Sequence, residues 1–188
     1  MTARLITSAA EIGAARWNGF ANPKGLAEPH PFTSYEFFAA LEESGSAAAE
    51  TGWQPAHLLV DAPEAGGLMP MYLKSHSHGE YVFDHAWAEA LERAGGDYYP
   101  KLQCSVPFTP VTGPRLLAKT DEARRALLAL AAGAVRQIGA SSLHITFLPE
   151  DEWRLAGEAG WLQRTGQQFH WENRGYDNFD QFLSELSS

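Results

Sequence analysis

The chain has 188 residues, of which 45% are hydrophobic and 12% aromatic, enough for a packed core, so disorder is excluded as its main state. Acidic residues outnumber basic ones by 23 to 14, and the formal net charge of -9 disfavours unaided binding to nucleic acid. The single cysteine, Cys104, excludes an internal disulfide and a thiolate metal cage.

Hydropathy along the chain gives no sign of a membrane segment. No apolar run approaches the roughly 18 residues of a spanning helix, and the first twenty residues lack the apolar core of a signal peptide. We therefore expect no membrane insertion and a cytoplasmic location.

The first predicted elements are a helix and a hairpin. Residues 33–36 (TSYE) form a capping box before apolar residues at helical spacing, and Gly45 is placed to end that helix. Two short apolar segments, residues 56–60 and 68–73, are joined by a turn-rich sequence and predict a β-hairpin. Pro70 indicates a free edge or a bulge in the second strand.

The middle of the chain predicts strand, helix and strand. Residues 80–83 predict a short strand, after which Asp84 caps a helix that ends at Gly95 and Gly96. Residues 101–106 alternate between polar and apolar side chains, which predicts a strand with one face buried and the other exposed.

Further on, residues 107–115 predict a loop whose course is fixed by three prolines. Thr120 begins the clearest helix, with one continuous apolar stripe. Residues 143–148 predict a strand, and Pro149 begins a short helix rich in acidic residues.

The last third ends with an extended aromatic segment, residues 162–173, and a helix over residues 179–186. That final helix has no glycine stop and no basic last turn, so we expect a chain interrupted within or just after a helix, with a frayed natural end as the alternative. Together the elements predict a mixed α/β domain around one sheet.

Metal and thiol chemistry are not favoured. His76 and His78 could share a metal with His85 or His144, because side chains two apart in a strand share a face. No carboxylate or cysteine stands at a supporting spacing, so we predict no metal site. Cys104 lies on the apolar phase of its strand and is expected to be a buried structural thiol.

Two segments could bind an anionic group. Residues 93–98 (RAGGDY) match the first part of the acetyl-CoA pattern R/Q-x-x-G-x-G/A, but a Gly-Gly helix stop is the better interpretation. In residues 109–115 (TPVTGPR), a rigid bend places the hydroxyls of Thr109 and Thr112 beside the guanidinium of Arg115. This bend suits an anion or a peptide carboxylate, and a rigid connection is the alternative.

Two further segments, residues 72–87 and 168–176, are dense in side chains that both stack and form hydrogen bonds. We expect Trp87 and Tyr81 to be core aromatics. Burying many polar groups without a function is costly, so several residues become candidates for lining a cleft. These candidates are Lys74, His76, His85, His170 and Asn173.

Four segments resemble one known family. They are residues 30–46 (HPFTSYEFFAALEESGS), 69–117 (MPMYLKSHSHGEYVFDHAWAEALERAGGDYYPKLQCSVPFTPVTGPRLL), 141–147 (SSLHITF) and 164–183 (RTGQQFHWENRGYDNFDQFL). They look like the FemAB-like family of predicted N-acyltransferases, described in bacteria as peptidoglycan biosynthesis/recognition proteins and placed in the GNAT superfamily. The likeness covers nearly the whole chain from about His30.

The resemblance implies a fold and a reaction class. It implies a GNAT-like fold of the α/β class (α+β, with a central mixed sheet flanked by helices). Residues 1–30 would be an N-terminal extension, and residues 31–188 the first of two GNAT-like halves. FemABX relatives transfer an amino acid from aminoacyl-tRNA to a cell-wall precursor peptide, whereas GNAT enzymes transfer an acyl group from acyl-CoA to an amine. We therefore expect one of these donors and a small-molecule or peptide acceptor amine.

The matching motif residues are Lys74, His76, Glu80, Asp84, His85, Tyr99, Lys101, Thr109, Thr112, Gly113, Arg115, His144, His170, Trp171 and Asn173. Motif membership alone carries over. We choose His85 or His170 as the catalytic base, because a neutral imidazole can accept an ammonium proton near pH 7. The residues predicted to bind substrate are Lys74, His76, Tyr99, Lys101, Thr109, Thr112, Arg115, Trp171 and Asn173.

Two other functions stay open. The chain could be a non-catalytic module that recognises a muramyl peptide or a protein, which the incomplete glycine-rich loop favours. It could instead be a structural half that packs on a further domain or forms a dimer, which exposed apolar surface would favour.

Overall fold

The fold was determined as a computed structural model that describes residues 2–63 and 65–186. Within these ranges the chain forms strands, α-helices and one short 3-10 turn, Pro31–Thr33. The elements in chain order are β1 Thr2–Ile6, α1 Ala9–Ile12, α2 Ala14–Ala21, α3 Tyr35–Glu43, β2 Trp53–Pro55, β3 His57–Asp61, β4 Gly67–Met69, β5 Tyr72–Lys74, α4 His85–Arg93, β6 Lys101–Cys104, β7 Leu117–Ala118, α5 Asp121–Ile138, β8 Leu143–Ile145, α6 Glu150–Glu158 and α7 Phe179–Glu185.

The strands form two four-stranded sheets joined by the predicted hairpin. Their orders are β1-β3-β4-β7 and β2-β5-β6-β8. All pairs are antiparallel except β6 and β8, which run parallel. One arm of the hairpin supplies β2 and β3 and the other supplies β4 and β5, so the same two arms run through both sheets. The expected α+β class with flanking helices is confirmed, but the expected single sheet is wrong: there are two sheets, of which only β2-β5-β6-β8 is mixed, because the hairpin arms are interrupted between β4 and β5 at Pro70.

The side chain of His57 bonds to the backbone where the second hairpin arm passes from one sheet to the other, between β4 and β5. Pro70 has no N–H, and the next residue, Met71, donates its backbone N–H to Nδ1 of His57 over 3.1 Å. Met71 also accepts a hydrogen bond from the backbone N–H of Ala56 at 2.8 Å. Pro70 therefore marks an interruption inside a paired strand, not a free edge.

Helices cover both faces of the sheets. On one face α5 and α6 pack on an apolar core that includes Leu58, Met69 and Leu102. On the other face α1, α2 and α3 bury Trp17, whose indole N–H donates to the carbonyl of Thr33 at 2.9 Å.

The N-terminal residues belong to this packed body. The sequence predicts an N-terminal extension over residues 1–30, but residues 2–21 are packed into the domain. β1 pairs with β3, and Trp17 is fully buried. The physical reason is that Ile6, Ile12 and Trp17 fill the space beneath the sheet, which would otherwise be left open.

Most predicted helix ends are confirmed. α3 begins where predicted, but its N-cap is Ser34, which accepts a hydrogen bond from the backbone N–H of Phe37, and not Thr33 at the first position of the predicted capping box. Thr120 accepts from the backbone N–H of Ala123 and begins α5, which ends at Gly139 with a φ of 77°.

The predicted strand over residues 80–83 is wrong. These residues form a loop in which Tyr81 has a φ of 56°, a left-handed conformation that interrupts an extended strand. Tyr81 and Trp87 are each 53% exposed, so the expectation that they are core aromatics is also wrong.

Candidate functional site

The candidate site lies on the polar face of β6. The sequence predicts that this face is exposed, but Lys101, Gln103 and Ser105 are all buried, so that prediction is wrong. The loop between β5 and α4 covers the face, because Glu80 and Asp84 of this loop both bond to Lys101. A polar surface buried in this way must find partners inside the protein.

Two lysines face each other across the sheet. Lys74 on β5 pairs in register with Lys101 on β6, and directly opposite residues share a face. Two like charges in that position repel each other unless carboxylates lie close by. Glu80 and Asp84 supply the carboxylates: Nζ of Lys101 lies 2.7 Å from Oε2 of Glu80 and 2.5 Å from Oδ2 of Asp84.

Tyr98 completes the arrangement by donating its hydroxyl to Oδ2 of Asp84 at 2.7 Å. The five side chains are buried together, and we call them the lysine–carboxylate cluster. Its members are Lys74, Glu80, Asp84, Tyr98 and Lys101.

Lys74 is the less neutralised of the two cations. Its Nζ lies 3.9 Å from Oε1 of Glu80, donates to the backbone carbonyl of His78 at 3.3 Å, and sits 3.6 Å from the ring centroid of Trp53. Burial lowers the pKa of Lys74 to about 7, with a further decrease from the charge of Lys101 and an opposing increase from Glu80. Both protonation states of this amine are therefore accessible near neutral pH.

Asp84 and His144 are held in fixed charge states. Asp84 is the N-cap residue of α4, but its side chain does not cap the helix and turns to Lys101 instead. Burial raises the pKa of Asp84, but hydrogen bonds from Lys101 and Tyr98 outweigh it and bring the value to about 2. Burial and the charge of Lys101 lower the pKa of His144 to about 4, so its ring is neutral at pH 7.

Several polar atoms of this region have no hydrogen-bond partner within the described residues. Burial raises the pKa of Glu80 despite the opposing effect of Lys101. Oε1 of Glu80 is buried beside the ammonium of Lys74 but accepts no hydrogen bond from the described residues. This is unusual, because buried polar groups are normally satisfied. The unpartnered atoms of this region are Trp53 Nε1, Tyr72 OH, Glu80 Oε1, Asp84 Oδ1, Gln103 Oε1 and Ser105 Oγ.

A surface groove of about 560 Å³ adjoins the cluster at Trp53. Phe108 packs against Trp53 with ring centroids 5.2 Å apart, and its backbone N–H donates to the carbonyl of Gly79 at 3.1 Å. Gly79 has a φ of 79°, and a Cβ there would meet the Phe108 ring at 2.7 Å, so only glycine fits. The groove is lined by Leu41, Ser46, Thr51, Trp53, His76, His78 and Phe108.

Four predicted site residues come together here. Lys74 and Lys101 belong to the cluster, and His76 lines the groove. The hydroxyl of Tyr99 lies 2.8 Å from that of Ser77, on the loop that carries Glu80. Burial lowers the pKa of His76, and the nearby Lys74 adds to this effect.

The loop residues predicted to bind an anion have a different environment. Thr112 is exposed and Thr109 half-buried, while Arg115 is buried. The guanidinium of Arg115 donates to the backbone carbonyls of four residues, Val111, Gly113, Pro114 and Thr146. Glu152 accepts from the backbone N–H groups of Arg115 and Leu116, so Arg115 holds the loop in place.

The two histidines chosen as bases are exposed. His85 is the first residue of α4, and His170 contacts Gln168 at 3.1 Å in the segment after α6. Over residues 2–63 and 65–186, neither makes a hydrogen bond or ion pair with the cluster. Trp171 and Asn173 lie in the same C-terminal segment as His170 and are also exposed.

Sequence reasoning did not assign Glu80 or Asp84 to the site, although both matched the family motif. It also missed Trp53, His78 and Phe108. The available signal was Lys74, which follows Tyr72 on one face of a strand and requires a carboxylate partner if that face is buried.

The histidine pair and the glycine pair singled out in the sequence have local structural roles. No three His, Cys, Asp or Glu side chains among the described residues are arranged to hold a metal. His76 uses Nε2 with the carbonyl of Thr51 and Nδ1 with the N–H of His78. Gly95 and Gly96 end α4, as the helix-stop interpretation predicts, and so form no phosphate cradle at a helix N-terminus.

The lowered pKa of buried Lys74 should make the stability of the protein depend on pH. Because its folded pKa of about 7 lies below the ordinary value of 10.5, the unfolded state binds more protons between those values. The stability of the wild type should therefore rise relative to Lys74→Met as the pH increases from 7 to 9. Urea unfolding at several pH values measures this. A difference that stays constant across the range would contradict the assigned protonation of Lys74.

The fold and the site define a mixed α/β protein with a buried ionic cluster beside a surface groove. None of the helices in the described ranges is long and apolar enough to cross a membrane. The family model of FemAB-like proteins, described as peptidoglycan biosynthesis/recognition, matches residues 8–188, so the chain belongs to this family. No match was found among curated proteins, and none among solved structures.

Proposed function

We propose that the protein transfers an acyl or aminoacyl group to an amine of a peptidoglycan peptide, with the groove as the acceptor site. The observation that carries this proposal is the unpartnered Oε1 of Glu80, buried 3.9 Å from Nζ of Lys74 beside the groove. The family membership supplies the peptidoglycan context.

The reaction needs proton transfer and positioning. The acceptor amine attacks the carbonyl of an activated acyl donor, either the thioester of an acyl-CoA or the ester of an aminoacyl-tRNA. An N–C bond forms, the C–S or C–O bond breaks, and the amine proton passes through a base to the leaving group. Glu80 is the proposed base, since its raised pKa makes it a better proton acceptor than an ordinary carboxylate.

The neighbours of Glu80 would assist this role. Lys74 can donate a proton near neutral pH, and Phe108, which is exposed and packs on the buried Trp53, offers an apolar wall for the substrate. His85 and His170, chosen from the sequence, are less suited to act as the base at this groove because neither side chain lines it.

The experiment mixes the full chain with a muropeptide and with each donor, and detects the acylated peptide by mass spectrometry. Glu80→Gln should lower the rate at least about a hundredfold, the usual contribution of a general base, while muropeptide binding persists. Glu89→Gln, an exposed carboxylate on α4, is the matched control and should keep full activity. Equal rates for both variants would rule out Glu80 as the base.

Recognition without catalysis is the second candidate, favoured by the enclosure of the cluster. Lys74 is fully buried and Glu80 is 2% exposed, so the groove can bind a peptide without contact to either residue. In that case the muropeptide binds, no product forms with any donor, and Phe108→Ala, at the exposed ring of the groove, abolishes binding while Glu80→Gln leaves it unchanged.

A further inference from the structure

Residues near the C-terminus form a second concave surface, which shares no residue with the groove. We call it the C-terminal aromatic cluster and define it as Trp171, Tyr176, Phe179 and Phe182. With Asn178 these residues line a pocket of about 410 Å³. Trp171 is 64% and Phe179 67% exposed, so the rings face solvent without covering one another completely.

The rings of Trp171, Tyr176 and Phe182 form a corner. Trp171 and Tyr176 lie within 30° of parallel, with centroids 6.3 Å apart. Phe182 stands nearly perpendicular to both, at 84° to Trp171 and 71° to Tyr176. Such a corner presents aromatic faces from two directions to a ligand placed in it.

Local hydrogen bonds hold this corner in shape. Oδ1 of Asn173 accepts from the backbone N–H groups of Gly175, at 3.0 Å, and Tyr176, at 2.8 Å. Asn178 caps α7 by accepting from the backbone N–H of Gln181 at 2.9 Å. A ligand would therefore find the rings already in position and would lose little affinity to ordering them.

The charge around the cluster is negative. Residues 171–186 include one basic side chain, Arg174, and four acidic ones, Glu172, Asp177, Asp180 and Glu185. The hydroxyl of Tyr176 donates to Oε2 of Glu185 at 2.9 Å, which brings one carboxylate to the edge of the rings. Aromatic faces and carboxylates both attract cations, and neither attracts an anion.

From this combination we infer that the C-terminal aromatic cluster binds an alkylammonium group. The ring faces contact the methylene or methyl groups beside the nitrogen, and the carboxylates provide a favourable field for the positive charge. The site is separate from the lysine–carboxylate cluster, so the inference does not depend on the proposed acyl transfer.

The test titrates the full chain with small probes by calorimetry at low salt. The cationic probes are Nα-acetyl-lysine amide, with a primary ammonium, and tetramethylammonium, which is quaternary; Nα-acetyl-norleucine amide is the neutral probe. We expect saturable binding of at least one cation, none of the neutral probe, and a decrease in affinity as salt increases. The stronger cationic probe identifies the type of ammonium group.

Single substitutions test whether the cation binds at the C-terminal aromatic cluster. Trp171→Ala should weaken the binding of the cation about tenfold, as expected for loss of a cation–π wall. Glu185→Gln should weaken it less and reduce its salt dependence. Trp87→Ala is the matched control, because Trp87 is also an exposed tryptophan but lies on α4. Since Trp171 is exposed, its removal should not prevent folding, which circular dichroism verifies.

Three results would each overturn the inference. One is the absence of saturable binding of either cation. Another is equal binding of the norleucine and lysine derivatives, which would make the pocket a purely apolar patch. The third is unchanged affinity in Trp171→Ala.

Discussion

Replacing Lys101 with methionine should lower the free energy of unfolding by about 3–5 kcal/mol, the range found when one partner of a buried ion pair is removed. The ammonium of Lys101 lies within 2.7 Å of carboxylate oxygens of both Glu80 and Asp84. Methionine fills a similar volume, so the loss comes mainly from the two carboxylates left buried without their shared cation. Urea unfolding at pH 7 measures the change.

The same variant should respond differently to acid. The folded pKa of Asp84, about 2, lies below the ordinary 3.8, so the stability that Asp84 contributes is complete above about pH 4 and is lost as the pH falls to 2. Without Lys101 this contribution is smaller, so the difference between wild type and variant should shrink between pH 4 and 2. Lys119→Met, at an exposed lysine, is the control and should change stability by less than about 0.5 kcal/mol. A similar small loss in Lys101→Met would contradict the cluster geometry.

Replacing Arg115 should have the second largest effect. In Arg115→Met the carbonyls of Val111, Gly113, Pro114 and Thr146 lose their donor, and we expect a loss of about 3 kcal/mol because several buried acceptors are left unsatisfied together.

Arg115→Lys tests whether the loop needs the planar geometry of the guanidinium in addition to its positive charge. Lysine keeps the charge but has no planar fork to reach four carbonyls, so we expect this variant to lose about 2 kcal/mol. Arg125→Lys, at an exposed arginine paired with Glu158, is the control and should be close to wild type. If Arg115→Lys were as stable as that control, the guanidinium would not organise the loop. Because the loop also carries Phe108, both Arg115 variants should weaken ligand binding in the groove.

Helices α3 to α7 could be predicted because their signals are local, whereas α1 and α2 were not predicted. Ser34 and Thr120 cap helices through hydrogen bonds that span three residues, and the apolar stripe of α5 repeats with the helical period. β1 was not predicted. Its five residues carry little pattern, and they form a strand by pairing with β3, far away in sequence.

The candidate site was only partly predictable for the same reason. The motif resemblance identified Lys74 and Lys101, but alternation placed the polar side of β6 in solvent. Its burial depends on the loop that brings Glu80 and Asp84 over the strand, a contact between distant segments. His85 and His170 were chosen for their chemistry, and nothing local in the sequence indicates that both side chains are exposed.

The shared hairpin bears on the order in which the protein assembles. Its two arms pair residues close in the chain, whereas β6 and β8 are separated in sequence by β7 and α5. Short loops close faster than long ones, so we expect the hairpin to form early and the parallel pair of β6 and β8 to form after it. We therefore expect the face that carries Lys101, with β6 paired to β8 on one side, to be completed after the hairpin has formed.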